Sequence, residues 1–219
     1  MKNNKIRAII FDVDGTLLDT VPDVGTCINR ALIQYGFPAI PLSRVGPSLG
    51  GSIQDVFRSF ISTDTSDELL DQIAAAYLRD YEINFAVDTI PFPGANTLLV
   101  SLHNANIRLG VVSNKTDASA VQTVKHFFPD IPFDFIWGEK TDRPVKPNPQ
   151  SGLAAAKLLN LTPPEIMYIG DGECDIQYAK ACGFIAAGAG WGYRGKIALQ
   201  NAGADLIFDS LAEVISILY

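Results

Sequence analysis

Two carboxylates one residue apart, Asp12 and Asp14, close the apolar run of Ile6, Ala8, Ile9, Ile10 and Phe11, and Gly15 follows them. In extended chain, positions i and i+2 project to the same face, so both acids point the same way where the strand gives out. Anions held that close repel by roughly 4 kcal/mol at ~4 Å and an effective dielectric of about 20. A divalent cation or a shared proton removes the conflict. Asp-x-Asp-Gly is also compatible with a plain turn, and it resembles the opening of an EF-hand loop. The EF-hand pattern fails here, because Leu17 and Asp23 stand where Gly and Glu are required and a strand precedes instead of a helix.

Further polar groups follow other apolar runs. Ser113 and Asn114 end the run 107–112, and Lys146 lies in Arg143-Pro144-Val145-Lys146-Pro147-Asn148-Pro149. Asp171 comes after Gly170 at the end of the run 166–169, with Asp175 four residues on. Each has a plain structural reading: Ser113 or Asn114 as a helix cap, Lys146 as a solvated surface group, Asp171 as a turn former and Asp175 as a helix-start acid. Three prolines around Lys146 impose a stiffness that a free surface lysine does not need. A helix N-terminus is also an anion site, so capping and binding are compatible. His103 and His126 fall in helical patterns that follow no strand and receive no role. Gly188-Ala189-Gly190-Trp191-Gly192-Tyr193 has Tyr193 where a dinucleotide loop needs its third glycine, which rules that motif out. There is no His-rich zinc set, no Ser-His-Asp arrangement and no Walker loop. Four carboxylates, a lysine, a hydroxyl and helix-end amides suit Mg²⁺ completed by water and a phosphate. Phosphoryl transfer needs charge neutralisation, an in-line nucleophile and a proton donor, and a carboxylate serves as nucleophile through an aspartyl-phosphate.

The elements that must position these groups alternate. Helical patterns at 95–104, 116–128, 150–159 and from beyond Asp171 to Cys182 separate strand patterns at 107–112, 133–137, 166–169, 184–187 and 205–208, and a closing helix ends the chain. Such units predict an α/β fold, a Rossmann-like parallel sheet with helices on both faces. All the strand ends then lie on one edge of the sheet, where open parallel sheets bind ligands. Residues 20–85 read as helical throughout. One helix starts near Asp19 or Thr20 with Pro22 in its first turn and stops at Gly36, a second carries Ile53, Val56, Phe57, Phe60 and Ile61, and a third starts at the capping-box pattern Thr65-Ser66-Asp67-Glu68. The stretch 44–51 is too glycine-rich for a helix interior. The expected division is a core of 1–19 and 91–219 with a helical cap of 20–90, hinged near Asp19-Thr20 and 90–93.

Composition bounds the partners. Of 219 residues, 47% are hydrophobic and 19% charged, which supplies a packed core and argues against disorder. A net charge of -7 argues against a nucleic-acid partner and means that an anionic substrate is held by local cations or a metal. Cys27, Cys174 and Cys182 have no metal-finger spacing and read as free, buried thiols of a reducing compartment. The apolar stretch after Met1-Lys2-Asn3-Asn4-Lys5 is too short for a signal peptide, and no run is long enough to span a membrane, so a soluble cytoplasmic protein, monomer or homodimer, is expected.

Taken together, the chain resembles the haloacid dehalogenase superfamily, and most of all its phosphoglycolate phosphatase-type members with a helical cap. Asp12-Val13-Asp14-Gly15-Thr16 is similar to the first family motif, Ser113-Asn114-Lys115 to the second, Lys146-Pro147 to the third, and Gly170-Asp171 with Asp175 to the fourth. The resemblance implies that Asp12 is the nucleophile and that Asp14 protonates the leaving oxygen and then activates water. It implies Mg²⁺ held by the Asp12 carboxylate, the Asp14 carbonyl and Asp171, and phosphoryl oxygens held by Ser113, the Asn114 amide and Lys146. Asp175 would support the metal shell or Lys146. The acid at 14 distinguishes phosphatases from dehalogenases, which need no proton donor for a halide. Gly172-Glu173-Cys174 departs from relatives that carry Ser or Thr after the Asp. The stretch 44–51 resembles the cap loop that selects substrate, with Gly46 giving close approach and Arg44 pairing with a substrate carboxylate. The implied substrate is a small phosphomonoester, 2-phosphoglycolate first. A sugar-phosphate mutase, a nucleotidase, a pyrophosphatase, a dehalogenase and a non-catalytic binding module are the alternatives.

Overall fold

A computed structural model describes residues 6–218 of the chain. β1 (Ala8–Phe11) is buried on both faces, Ile9 and Phe11 entering one apolar cluster and Ala8 and Ile10 the other. That is why its sequence is continuously apolar instead of alternating. After it come β2 (Leu18–Asp19) and four helices: α1 (Val21–Gln34), α2 (Val45–Ser48), α3 (Ile53–Arg58) and α4 (Asp67–Asn84). The chain returns through β3 (Ile90–Pro91) to α5 (Ala95–Asn104), β4 (Arg108–Thr116), α6 (Asp117–Phe127), β5 (Phe135–Glu139), α7 (Gln150–Leu159) and β6 (Ile166–Gly170). It ends with α8 (Glu173–Cys182), β7 (Ile185–Ala189), α9 (Gly195–Asn201), β8 (Leu206–Phe208) and α10 (Leu211–Val214).

The six long-range strands form one parallel sheet in the order β5-β4-β1-β6-β7-β8. β1 lies centrally, between β4 and β6, so the chain winds outward from it in both directions. This reversal of winding is where open sheets leave a crevice outside their carboxyl ends. Phe11 is in register with Val111 and with Ile169, which brings Asp12 level with Val112 and Gly170. Helices α5, α6 and α10 cover the face carrying Ile9 and Phe11, and α7, α8 and α9 cover the other.

The four helices α1 to α4 share an apolar core of their own, built from Val24, Ile28, Leu32, Val45, Phe57, Ile73, Tyr77 and Tyr81 among others. The Tyr77 and Tyr81 rings stack at 5.5 Å. The chain enters and leaves this unit through the antiparallel pair of β2 and β3, Leu18 opposite Pro91 and Asp19 opposite Ile90. Asp23, buried in the first turn of α1, accepts N–H bonds from Val87, Asp88 and Thr89. One carboxylate thus ties the exit of the unit to its entrance.

Several local expectations change. The helix α9 was not expected; it is short and only Leu199 of it is buried, so its apolar periodicity is faint. The glycine-rich stretch does contain one helical turn, α2, ended by Leu49 in extended conformation. Ser66 caps α4 alone, its side chain accepting from the Leu69 N–H, while the reciprocal box lies at Ser52 and Asp55, heading α3. α3 stops at Arg58, before Phe60 and Ile61. The segments expected to act as hinges meet in a short ribbon, Leu18–Asp19 against Ile90–Pro91. No helix among the described residues is long and apolar enough to cross a membrane.

Candidate active site

Asp12 is the first residue beyond β1, its N–H bonded to the Ile169 carbonyl at 2.9 Å, so its direction follows the sheet. Its Oδ1 lies 3.0 Å from Lys146 Nζ. That atom is buried, and the ammonium is its partner. Lys146 is held from the opposite side. Its ammonium donates to Asp175 Oδ1 at 2.6 Å and to the Tyr168 hydroxyl at 2.8 Å, and Tyr168 donates onward to the Val112 carbonyl. The backbone beside Lys146 is clamped too: Asn114 Oδ1 accepts its N–H at 2.7 Å and Asn114 Nδ2 donates to its carbonyl at 3.2 Å. Farther along the same loop, Arg143 stacks on Trp137 and pairs with Asp117. The stiffness suggested by the prolines therefore serves to aim one ammonium at Asp12.

Asp171 follows β6 and is buried, its Oδ2 accepting the Tyr193 N–H at 2.7 Å. Gly15, at φ +74°, and Gly192 close around it; a Cβ on Gly15 would stand 2.2 Å from Asp171 Oδ2. Only a residue without a side chain lets the backbone come that near. Carboxylate oxygens of Asp12, Asp171 and Asp175 converge within 4.8 Å of one another. Asp175 is already committed, one oxygen to Lys146 and the other to the Gly172 N–H at 2.9 Å. Asp12 and Asp171 are the two with oxygens to give. Two buried carboxylates brought this close, Asp12 and Asp171, fit a hard divalent cation that takes oxygen ligands.

Asp14 lies beside them, as the i, i+2 spacing requires. Its Oδ1 receives the Thr20 hydroxyl and lies 3.1 Å from Lys115 Nζ. Thr20 thus spends its hydroxyl on Asp14 and does not cap α1. Ser113 is buried on the same sheet edge and lines the cleft above Asp12, with Asn114 next to it. Asn114 Nδ2 also reaches the Gly50 carbonyl at 2.6 Å, joining the sheet edge to the helical unit.

Arg44 and Gly46 are not brought to the site. Arg44 is exposed, stacks over Phe60 and reaches the Ser59 carbonyl at 3.5 Å, because the turn of α2 directs it away from the cleft. Gly46 faces the Tyr193 ring, where an added Cβ would stand 2.9 Å from the ring carbon. It permits contact between two parts of the protein instead of contact with a ligand. Leu49, Gly50 and Gly51 of the same stretch do line the cleft. The sequence reading gave no role to Lys115, Tyr81, Tyr168 or Tyr193. Lys115 stands in plain view beside Asn114, Tyr81 and Tyr168 belong to apolar patterns that look like core, and Tyr193 ends the glycine-rich stretch 188–193.

The electrostatics follow from burial. Burial pushes the Asp12 carboxyl up to about 7, Lys146 working against the rise and Asp175 and Asp14 adding to it. Burial, then Asp175 and Asp12, hold Asp171 well above the usual range. Burial alone would lower Lys146, but Asp12 and Asp175 outweigh it and keep the ammonium charged. A carboxyl raised in the fold retains a proton that the unfolded chain has released, so the folded state binds more protons and stability falls as pH rises. For Asp12 the window runs from its ordinary value of 3.8 to about 7. The melting temperature of chelator-treated protein is therefore expected to fall between pH 5 and pH 8, and added Mg²⁺ to raise it more at pH 8 than at pH 5. Scanning calorimetry at both values, with and without Mg²⁺, checks this. An equal Mg²⁺ effect at both would contradict a cation bound by these raised carboxylates.

Comparison with known proteins agrees with this geometry. The family model described as haloacid dehalogenase-like hydrolase matches residues 9–189. A phosphoglycolate phosphatase of Neisseria meningitidis is 30% identical over 95% of this chain and 92% of its own. An N-acetylmuramic acid 6-phosphate phosphatase of Pseudomonas putida is 27% identical, over 96% and 95%. A crystal structure from Lactobacillus delbrueckii subsp. bulgaricus, 28% identical and covering 98% of each chain, superposes with a TM-score of 0.89. An acid pair after the first strand, a lysine aimed at its first member, an acid facing it from the neighbouring strand and a match over most of the chain lead to one conclusion: this protein belongs to the haloacid dehalogenase-like hydrolases, as an enzyme of the phosphatase type.

Proposed function

We propose that the protein is a Mg²⁺-dependent phosphatase of small phosphomonoesters, acting through an aspartyl-phosphate on Asp12, with 2-phosphoglycolate as its foremost substrate. The observation that carries this reading is the buried Asp12 oxygen held 3.0 Å from the Lys146 ammonium, with Asp171 converging on the same point. A largely buried carboxylate beside a fixed cation is a preorganised nucleophile. Asp12 attacks phosphorus as the ester P–O bond breaks, and the leaving oxygen takes its proton from Asp14. Asp14 then accepts a proton from water as that water attacks phosphorus and the bond to Asp12 breaks, returning the free carboxylate and releasing phosphate. Lys146 offsets the charge that develops on the phosphoryl oxygens, which Ser113 and the Asn114 amide also hold. The Asp12 carboxylate, the Asp14 carbonyl and Asp171 would hold Mg²⁺, which neutralises phosphate charge when bound. Asp175 acts through Lys146, to which it is already bonded.

Residues 20–90 serve as a cap over this edge, moving about the ribbon of β2 and β3. The name phosphoglycolate phosphatase, carried by several relatives, supports the choice of that ester. The free thiols Cys27, Cys174 and Cys182 suit a reducing, cytoplasmic setting. The test is phosphate release from a panel of small phosphomonoesters, with Mg²⁺ and with chelator. Release that needs Mg²⁺ and is fastest with 2-phosphoglycolate is expected. A sugar phosphate isomerised with its phosphate retained would replace hydrolysis by a mutase reaction, and no release from any ester would overturn the reading.

A further inference from the structure

Lys115 is a buried cation that the chemistry above leaves unused. Its side chain is 7% exposed, and its Nζ lies 3.1 Å from Asp14 Oδ1. It donates to the Tyr81 hydroxyl at 2.9 Å and sits 4.4 Å above that ring. Burial alone would lower its proton affinity, but Asp14, Tyr81 and Tyr77 outweigh that and hold it well above the usual range, so it is charged. An ammonium has three protons to donate. Its Nζ donates to Tyr81 and lies against Asp14, and no third partner for it is found among the described residues.

We propose that Lys115, presented by the Tyr81 hydroxyl, is the specificity-determining residue that receives the carboxylate of the substrate; this rests on the phosphomonoesterase reading above. Three observations support it. The lysine lines the cleft over Asp12, whereas Lys146 is engaged by three partners, Asp12 at 3.0 Å, Asp175 and Tyr168. Arg44, the cation expected for this task, is turned outward onto Phe60, and Arg194 is bonded to the Leu49 carbonyl. The position also matches the ligand. Asp14 gives its proton to the ester oxygen, and in 2-phosphoglycolate the carboxylate carbon is two bonds from that oxygen. A cation in contact with Asp14 is therefore within reach of that carboxylate. The wall beyond it is apolar, with Val24, Ile53, Val56 and Leu78, and a charge pair formed against such a wall is weakly screened.

Tyr81 belongs to α4 and Lys115 to the sheet edge, so the anion would be read where the two parts of the protein meet. An ester without the second negative charge leaves Lys115 buried without its ligand, which is how a site rejects an analogue lacking a group.

The experiment compares 2-phosphoglycolate with ethyl phosphate, which lacks the carboxylate, for wild type, Lys115→Met and Lys115→Arg. Wild type is expected to prefer 2-phosphoglycolate in kcat/KM, and Lys115→Met to lose roughly 10- to 100-fold of that preference, mainly in KM. Lys115→Arg should recover part of it. Effects of the variant on Asp14 or on packing act on both esters and cancel in the ratio. An unchanged ratio in Lys115→Met, or a wild type that treats the esters alike, overturns the proposal while leaving the phosphatase intact. The second measurement is calorimetric binding of 3-phosphonopropionate and of propylphosphonate with Mg²⁺ present. If no ester is hydrolysed, the phosphatase reading falls, and this pair alone decides Lys115: a preference for the carboxylate ligand that Lys115→Met removes supports it, and any other result overturns it.

Discussion

Asp12→Asn is expected to lower phosphate release by about four orders of magnitude or more, since a neutral amide cannot form the covalent intermediate. The same substitution should raise the melting temperature of the metal-free protein at pH 8. The reason is the cost that Asp12 imposes on the fold. Burial lifts its carboxyl from 3.8 to about 7, and its neighbours include Asp14, Asp171 and Asp175. At pH 8 the ionised group destabilises the fold by up to a few kcal/mol. Asparagine is nearly isosteric, keeps an oxygen for Lys146 and removes that charge, so a rise of several degrees is expected, at roughly 2–4 °C per kcal/mol for a chain of this size. The gain should shrink at pH 5, where Asp12 already carries its proton. Phosphate release and calorimetry on the same preparations check both halves. Lower stability with unchanged turnover would show that Asp12 is structural and that the reaction lies elsewhere.

Lys146→Met should reduce turnover by about 10² to 10³-fold and, in contrast, destabilise the fold by about 3–5 kcal/mol. Lys146 is the shared partner of Asp12 and Asp175, and without it two buried carboxylates face each other with no intervening cation. Tyr168 also loses the donor that fills its hydroxyl. The opposite stability effects of two residues in contact are informative. The double variant with Asp12→Asn should be more stable than Lys146→Met alone, because one of the stranded charges is gone, so the two effects do not add. Denaturant titration of the four proteins measures the coupling. A strictly additive cycle would mean that the lysine and Asp12 do not share a charge interaction, contrary to their 3.0 Å separation.

Much of the site was legible because it depends on local rules. Asp12 and Asp14 share a face by strand geometry, and Asp171 follows another apolar run with Asp175 four residues on. Once the alternation of strands and helices implies a parallel sheet, those run ends must meet on one edge. The placement of Lys146 was legible for a different reason, the unusual stiffness of its loop. The sequence leaves Asp175 between two tasks, and the structure gives its oxygens to Lys146 and the Gly172 N–H.

The sequence by itself determined the sheet, the order of its polar strand ends and the helical character of residues 20–85, since these follow from periodicity, turn residues and the requirement that apolar runs be covered. Only the tertiary structure decided which side chains address one another across elements. Tyr81 falls on the apolar stripe of α4 with Leu70, Ile73 and Tyr77, so its period says core, and nothing in that period reveals a hydroxyl against Lys115. Arg44 lies in the stretch that lines the cleft, yet one turn of helix, α2, sends it outward and leaves Leu49, Gly50 and Gly51 facing in. Tyr193, far along the chain, bonds Asp171 through its backbone and the Thr20 N–H and Asp19 carboxylate through its hydroxyl, tying the acid site to the ribbon. Side-chain direction over such distances depends on how helices settle on the sheet, a property of packing that no local pattern encodes.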